Sequence, residues 1–97
     1  MLTGKQKRHL RALAHHENPI FQVGKGGVND QLIQHVVDAI EKRELLKISI
    51  LNTCDQPKEE VAKLISDGAH AELVQIIGKT VVVYKESKDH KTIELPR

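Results

Sequence analysis

Ninety-seven residues allow a single modest hydrophobic core, and a composition of 29% charged and 39% hydrophobic residues is ordinary for a soluble domain. We therefore expect one domain over residues 1–97, with 87–97 as a polar C-terminal tail. The net charge is only +2, but residues 1–28 carry five Lys or Arg residues against a single acidic residue, Glu17. A positive field concentrated in this way attracts polyanions.

The chain begins without an apolar run of signal-peptide or membrane-span length. Its single cysteine, Cys54, cannot form an internal disulfide and has no CxxC partner, which fits a reducing compartment and argues against a zinc site. We expect a cytoplasmic protein without membrane association, cofactor or metal.

The first helix is predicted over residues 4–15, because Thr3-Gly4-Lys5-Gln6 matches the capping box. At about 100° per residue, Leu10, Leu13 and Ala14 fall on the side that packs. The opposite side is a basic stripe, which could hold a polyanion or be only a solvated helix face. Pro19 ends this segment.

A short strand at 20–23 is followed by Gly24-Lys25-Gly26-Gly27, which we call the glycine loop, and by a helix at 30–43 with Asn29 as its N-cap. A glycine backbone leaves its N–H groups open to an anion, Lys25 adds a positive charge, and the helix N-terminus is expected to point its free N–H groups at the same place. These features predict a phosphate cradle. The alternative is a tight turn that needs glycine at positive φ.

The glycine loop does not match the nucleotide-binding fingerprints. Asn29 stands where the third glycine of G-x-G-x-x-G belongs, and Gly78-Lys79-Thr80 lacks the first glycine of a P-loop because Leu73 occupies that position. What remains is G-x-x-G from Gly24 to Gly27, the element that clamps the RNA backbone in KH domains.

The second half of the chain predicts a strand at 45–51, a helix from Pro57 to Asp67 capped by Gly68, and a hairpin of strands 72–77 and 80–86. Val61, Leu64 and Ile65 are predicted to form the buried side of this helix. The whole is an α+β fold of order α-β-α-β-α-β-β with a mixed four-stranded sheet. Alternation on the hairpin places Val74 and Ile76 with the helices. It leaves Lys47 and Tyr84 on a mixed face that we expect to be the open outer surface.

Five separated stretches carry a family resemblance. They are Leu2 to Arg8, Pro19-Ile20 with Gly24 to Val28, Glu44 to Lys47, Val74 to Thr80 with Val83-Tyr84, and Ile93 to Pro96. Together they resemble the CRM domain in its stand-alone bacterial, YhbY-type form. The resemblance implies an RNA-binding protein that associates with precursors of the large ribosomal subunit. It also implies a fold similar to the C-terminal domain of bacterial translation initiation factor three.

The resemblance implies RNA contacts at the glycine loop and on the basic first helix. For the remaining candidates, an RNA role is inferred from their charge and from the face of the sheet on which they lie. The Tyr84 side chain could instead be packed in the protein. The full set of candidate RNA-binding residues is Gly24, Lys25, Gly26, Gly27, Lys5, Lys7, Arg8, Arg11, Lys47, Lys79, Tyr84 and Lys85.

Two other classes of function were weighed. An enzyme acting on phosphorylated substrates is disfavoured, because no nucleophile, paired-carboxylate or metal-ligand constellation accompanies the loop. A protein-interaction module would use the open sheet face. We therefore expect a non-enzymatic, monomeric protein whose partner is ribosomal RNA, with no small-molecule substrate.

Overall fold

A computed structural model describes residues 2–97 and has three helices and four strands in the predicted order. The elements are α1 (Gly4–Ala14), β1 (Phe21–Val23), α2 (Asp30–Arg43), β2 (Leu45–Ile50), α3 (Lys58–Ala69), β3 (Glu72–Ile77) and β4 (Thr80–Tyr84). The predicted α+β fold is confirmed, and most element ends lie within two residues of their predicted positions.

The four strands form one mixed sheet of order β1-β2-β4-β3, in which β1 and β2 are parallel and β4 is antiparallel to both of its neighbours. The β1-α2-β2 and β2-α3-β3 connections step across the sheet in the same direction. Because such crossovers are right-handed, α2 and α3 must lie on the same face of the sheet. These helices and that face enclose the main core, whose fully buried members include Val36, Ile40, Ile48, Ile65 and Val81.

The first helix packs on the opposite face of the sheet. Leu10 and Ala14 of α1 form a second buried cluster with Leu45, Val74, Val82 and Tyr84, joined by Leu2, Ile93 and Leu95. The prediction of an open outer face was therefore wrong. One signal of this burial was present in the sequence, because Val81 to Tyr84 is a continuous apolar run, as expected of a strand covered on both sides.

The hairpin departs from its predicted register in one place. Ile76 pairs with Val81 as expected, but Leu73 pairs with Val83 and Gln75 with Val82, so the ladder shifts at the residue between them. Because of this irregularity, the Val74 side chain lies on the α1 side of the sheet. The prediction that it packs with the other two helices was wrong.

Three further predictions for the helices were wrong. Gly68 does not cap α3 but lies within it, where a Cβ would stand 2.8 Å from Ile33 Cδ1, so glycine lets α2 and α3 approach. The helix ends at Ala69, and its C-cap residue is His70, which has φ of 53°. Leu13 and Leu64, both predicted to be buried, are 38% and 39% exposed because each lies at the margin of its helix's packed side.

Two glutamates fix the C-terminal tail, residues 87–97, to α2. Glu44 is fully buried at φ 67° and accepts hydrogen bonds from the backbone N–H groups of Ser87, Thr92 and Ile93 at 2.8, 2.7 and 2.9 Å. Glu41 accepts from the Ser87 hydroxyl at 2.6 Å and from the N–H groups of Lys88 and Asp89. The tail is therefore an anchored part of the fold.

Candidate nucleic-acid interface

The glycine loop is a tight turn at the carboxyl end of β1. The Gly27 N–H donates to the Gly24 carbonyl at 3.0 Å, and Gly26 and Gly27 have φ of 92° and 69°. Lys25 and Gly26 are exposed, and a Cβ on Gly26 would meet nothing within 4 Å. The outer side of the turn thus offers bare backbone and one lysine to a ligand.

Gly27 faces inward and is buried beneath Gln56. The Gln56 side-chain oxygen accepts a hydrogen bond from the Val28 N–H at 2.8 Å, and a Cβ on Gly27 would stand 2.2 Å from that oxygen. The predicted tight turn with glycine at positive φ is present at both Gly26 and Gly27. Gly26 leaves the surface open, whereas Gly27 makes room for the side chain that holds the loop.

The N-terminus of α2 has a side-chain cap on one of its N–H groups. The Asn29 side chain caps the helix by accepting from the Leu32 N–H at 2.8 Å, as predicted. Asp30 places a negative charge in the first turn. Gln56 accepts the hydrogen bond of the Val28 N–H, between the glycine loop and the helix.

Strand register places further residues beside the glycine loop. Val23 pairs with Ile50 and Ser49 with Thr80, so the segment after β2 and the hairpin turn lie at the same end of the sheet as the loop. Gly78 has φ of 56°, as the predicted turn requires, and the Lys79 ammonium donates to the Asn52 side-chain oxygen. Lys25 and Lys79 are thereby brought to one end.

The basic stripe of α1 is present on the helix surface. Lys5, Arg8 and Arg11 are exposed and Lys7 is half-buried. Among residues 2–97, none of these four side chains forms an ion pair within 4.0 Å, and the first turn of α1 contains no acidic residue. The stripe therefore keeps its full charge toward solvent.

Three of the candidate residues lie away from the loop. Lys85 follows Tyr84, whose pairing with Leu45 marks the opposite end of the sheet, and Lys47 is half-buried in the middle of β2. Tyr84 is only 4% exposed and packs in the second cluster, which is the arrangement expected if it packs rather than stacks on a base. Burial raises the pKa of its hydroxyl, and the nearby Glu44 charge adds to this.

Metal-binding clusters and membrane-spanning helices are both absent from the part of the chain that the structure describes. No group of three or more His, Cys, Asp or Glu side chains could hold a metal ion within residues 2–97. No helix in that range is long and apolar enough to span a membrane.

Comparison with known proteins decides the family. A model of the CRS1 / YhbY (CRM) domain matches residues 2–85, nearly the whole chain. This chain belongs to the CRM domain family. The resemblance carried by the five sequence stretches is confirmed.

Relatives of this CRM domain chain match over almost their entire length. YqeI of Bacillus subtilis, named a probable RNA-binding protein, is 58% identical over 96 residues, which are 99% of this chain and 100% of that protein. A Haemophilus influenzae protein named an RNA-binding protein is 33% identical over 99% of this chain and 96% of its own. A solution structure from Staphylococcus aureus shares 52% identity and a TM-score of 0.83, covering 99% of this chain and 100% of that one.

Sequence reasoning missed Gln56 as a partner of the glycine loop. It lies 29 residues after Gly27 in the chain, and nothing local marks it, because a glutamine before Pro57 is ordinary turn composition. Only the parallel pairing of β1 with β2 brings it to the loop.

Proposed function

We propose that this CRM domain chain binds RNA through the glycine loop and the basic face of α1, and that it acts in assembly of the large ribosomal subunit. The exposed Lys25–Gly26 backbone carries the proposal, since it admits a phosphate without a side-chain barrier. Lys79 and the cations of α1 add positive charge. Lys47 and Lys85 lie away from the loop, as does the N-terminal end of α1, so an RNA strand that contacts both the loop and the whole α1 face must extend along the molecule toward Lys85.

The names of the relatives support RNA as the partner, and the large-subunit precursor comes from the family resemblance. A role without catalysis is supported by the names of the relatives, which give RNA binding as their property. The alternative of a protein-interaction module lacks the surface it required, because helix α1 and the tail cover that face of the sheet. A cytoplasmic monomer of one domain over residues 1–97 completes the proposal.

Crosslinking in cells, followed by sequencing of the attached RNA, tests the cellular role. We expect enrichment of large-subunit ribosomal RNA and of its unprocessed ends. Recovery of messenger or transfer RNA alone would contradict a role in subunit assembly, while leaving RNA binding intact.

Lys25→Gln tests the binding site in vitro, with Lys42→Gln as a control of equal charge change on exposed α2 surface. Because one phosphate contact on a single strand contributes about 0.7 to the slope of log K against log salt, we expect Lys25→Gln to flatten that slope by about 0.7. Lys42→Gln should leave it unchanged. If both variants and the parent have the same slope, the loop is not part of the RNA interface.

A further inference from the structure

A groove with an apolar floor lies beside the glycine loop. It has a volume of about 430 Å³, and its walls include Ile50, Leu51, Cys54 and Pro57, with Lys58 and Lys79 among its polar lining. Leu51 is 38% exposed, so its side chain is accessible from the groove. The volume lies in the range of sites that hold small organic groups.

The groove and the loop share structural parts. Gln56 lines the groove and at the same time accepts the Val28 N–H at 2.8 Å. On the other side, Leu51 Cδ1 stands 3.4 Å from where a Cβ of Gly24 would be. The groove and the glycine loop are therefore neighbours that share Leu51 and Gln56 as contacts.

Charge and polarity favour a nucleotide as the occupant. Lys58 and Lys79 are exposed, and the side-chain partner of Lys79 is the neutral amide of Asn52, so both lysines keep their charge. Asp55, the acidic residue of this connection, does not line the groove. An apolar floor with a cationic edge suits a group that has a flat apolar face and an attached phosphate.

We propose that this groove holds an unpaired base of the RNA strand whose backbone lies on the glycine loop. This inference rests on the proposed RNA binding and deepens it. The floor is aliphatic and contains a sulfur atom, so it contacts the face of any base without reading its edge. Contact of this kind is sequence-tolerant and adds affinity independently of salt.

The test compares oligouridylate with a length-matched ribose-phosphate oligomer that lacks bases. We expect the parent protein to bind oligouridylate about fivefold more tightly, at the low end of base-stacking contributions because the floor is not aromatic. Leu51→Ser should reduce this preference to less than about twofold without changing the salt slope. Ile77→Ser, at a 55% exposed aliphatic residue outside the groove, should keep it.

Crosslinking of the unmodified protein to RNA that contains 4-thiouridine gives a second measurement, which does not depend on the folding of any variant. We expect crosslinked peptides from residues 50–58. Equal affinity of the parent protein for both oligomers, or crosslinks confined to other segments, would overturn the base site and leave the groove to another occupant such as a protein segment.

Failure of this inference can be told apart from failure of the proposed function. If the parent protein binds neither oligomer, RNA binding itself is wrong. If it binds both equally, with a salt slope that depends on Lys25, the loop holds phosphate and only the base site is wrong.

Discussion

At the scale of single residues, the glycine loop shows that neighbouring glycines can serve different purposes. Gly26 has φ of 92° with open space around it, so a methyl group there costs only the strain of the left-handed backbone. Gly27 has φ of 69° and also leaves room for Gln56, whose side-chain oxygen would stand 2.2 Å from an added Cβ.

We therefore predict that Gly27→Ala lowers the free energy of unfolding by about 2–4 kcal/mol, whereas Gly26→Ala lowers it by about 1 kcal/mol. Urea denaturation of both variants measures the difference. Repeating Gly27→Ala in a Gln56→Ala background separates the collision from the backbone strain, because removal of the Gln56 side chain relieves only the collision. If Gly27→Ala lowers the free energy of unfolding equally in the parent and in the Gln56→Ala variant, Gln56 does not fill the space beneath the loop.

At the scale of elements, α1 has one buried side and one charged side, and the two can be changed separately. Lys5, Arg8 and Arg11 are exposed, whereas Leu10 and Ala14 are buried. A substitution on the outer side should therefore affect ligand binding and leave stability nearly unchanged.

We predict that replacing Lys5, Arg8 and Arg11 together with Gln lowers affinity for every RNA tested and flattens the salt slope by about 2, from three single-strand phosphate contacts at about 0.7 each. Isothermal titration at several salt concentrations, with melting temperature as a folding control, measures this. The matched control replaces Lys42, Lys63 and Lys88, which are exposed on other elements. Equal effects of the two triple variants would mean that only net charge matters.

The elements were predictable from sequence because their determinants are local. The capping box at Thr3 and Gln6 and the Asn29 cap form as the sequence predicts. What could not be predicted depends on contacts between distant segments. Three features require knowledge of the strand order. They are the side of the sheet on which α1 packs, the orientation of the Val74 side chain toward α1, and the position of Gln56 beneath the loop. Of the candidate site, the exposed loop and stripe follow from sequence, and the apolar run that ends at Tyr84 indicates its burial, but the residues that cover it do not follow from sequence.

At the scale of the whole molecule, the tail is held by two carboxylates whose charge depends on pH. The Ser87 hydroxyl, followed by the Lys88 and Asp89 N–H groups, lowers the pKa of Glu41 to about 2. For Glu44, burial opposes ionisation most strongly, but the N–H groups of Ser87, Thr92 and Ile93 outweigh it and leave the pKa below its usual range. Both groups thus bind fewer protons in the folded state than in the unfolded chain.

A carboxyl group whose pKa is lower in the folded than in the unfolded protein stabilises the fold at pH values above its unfolded pKa. This stabilisation is lost as the pH falls through the folded pKa. We therefore predict that the tail stays attached at neutral pH and loosens as pH falls from about 4.5 toward about 2. Amide hydrogen exchange of Ser87, Thr92 and Ile93 across this range measures the release, and the α3 amides serve as the internal reference. Glu44→Gln should release the tail at neutral pH. Protection that does not depend on pH in this range would contradict the role of the carboxylates.

The same anchoring brings the two ends of the described chain together. The Gln6 side-chain amide donates to the Pro96 carbonyl at 3.0 Å, and Leu2 and Leu95 pack against the same buried cluster. Both ends lie near Tyr84, at the end of the sheet opposite the glycine loop. A short linker could therefore join them into a circular permutant, and an affinity tag or a second domain fused at either end would extend away from the RNA-facing loop.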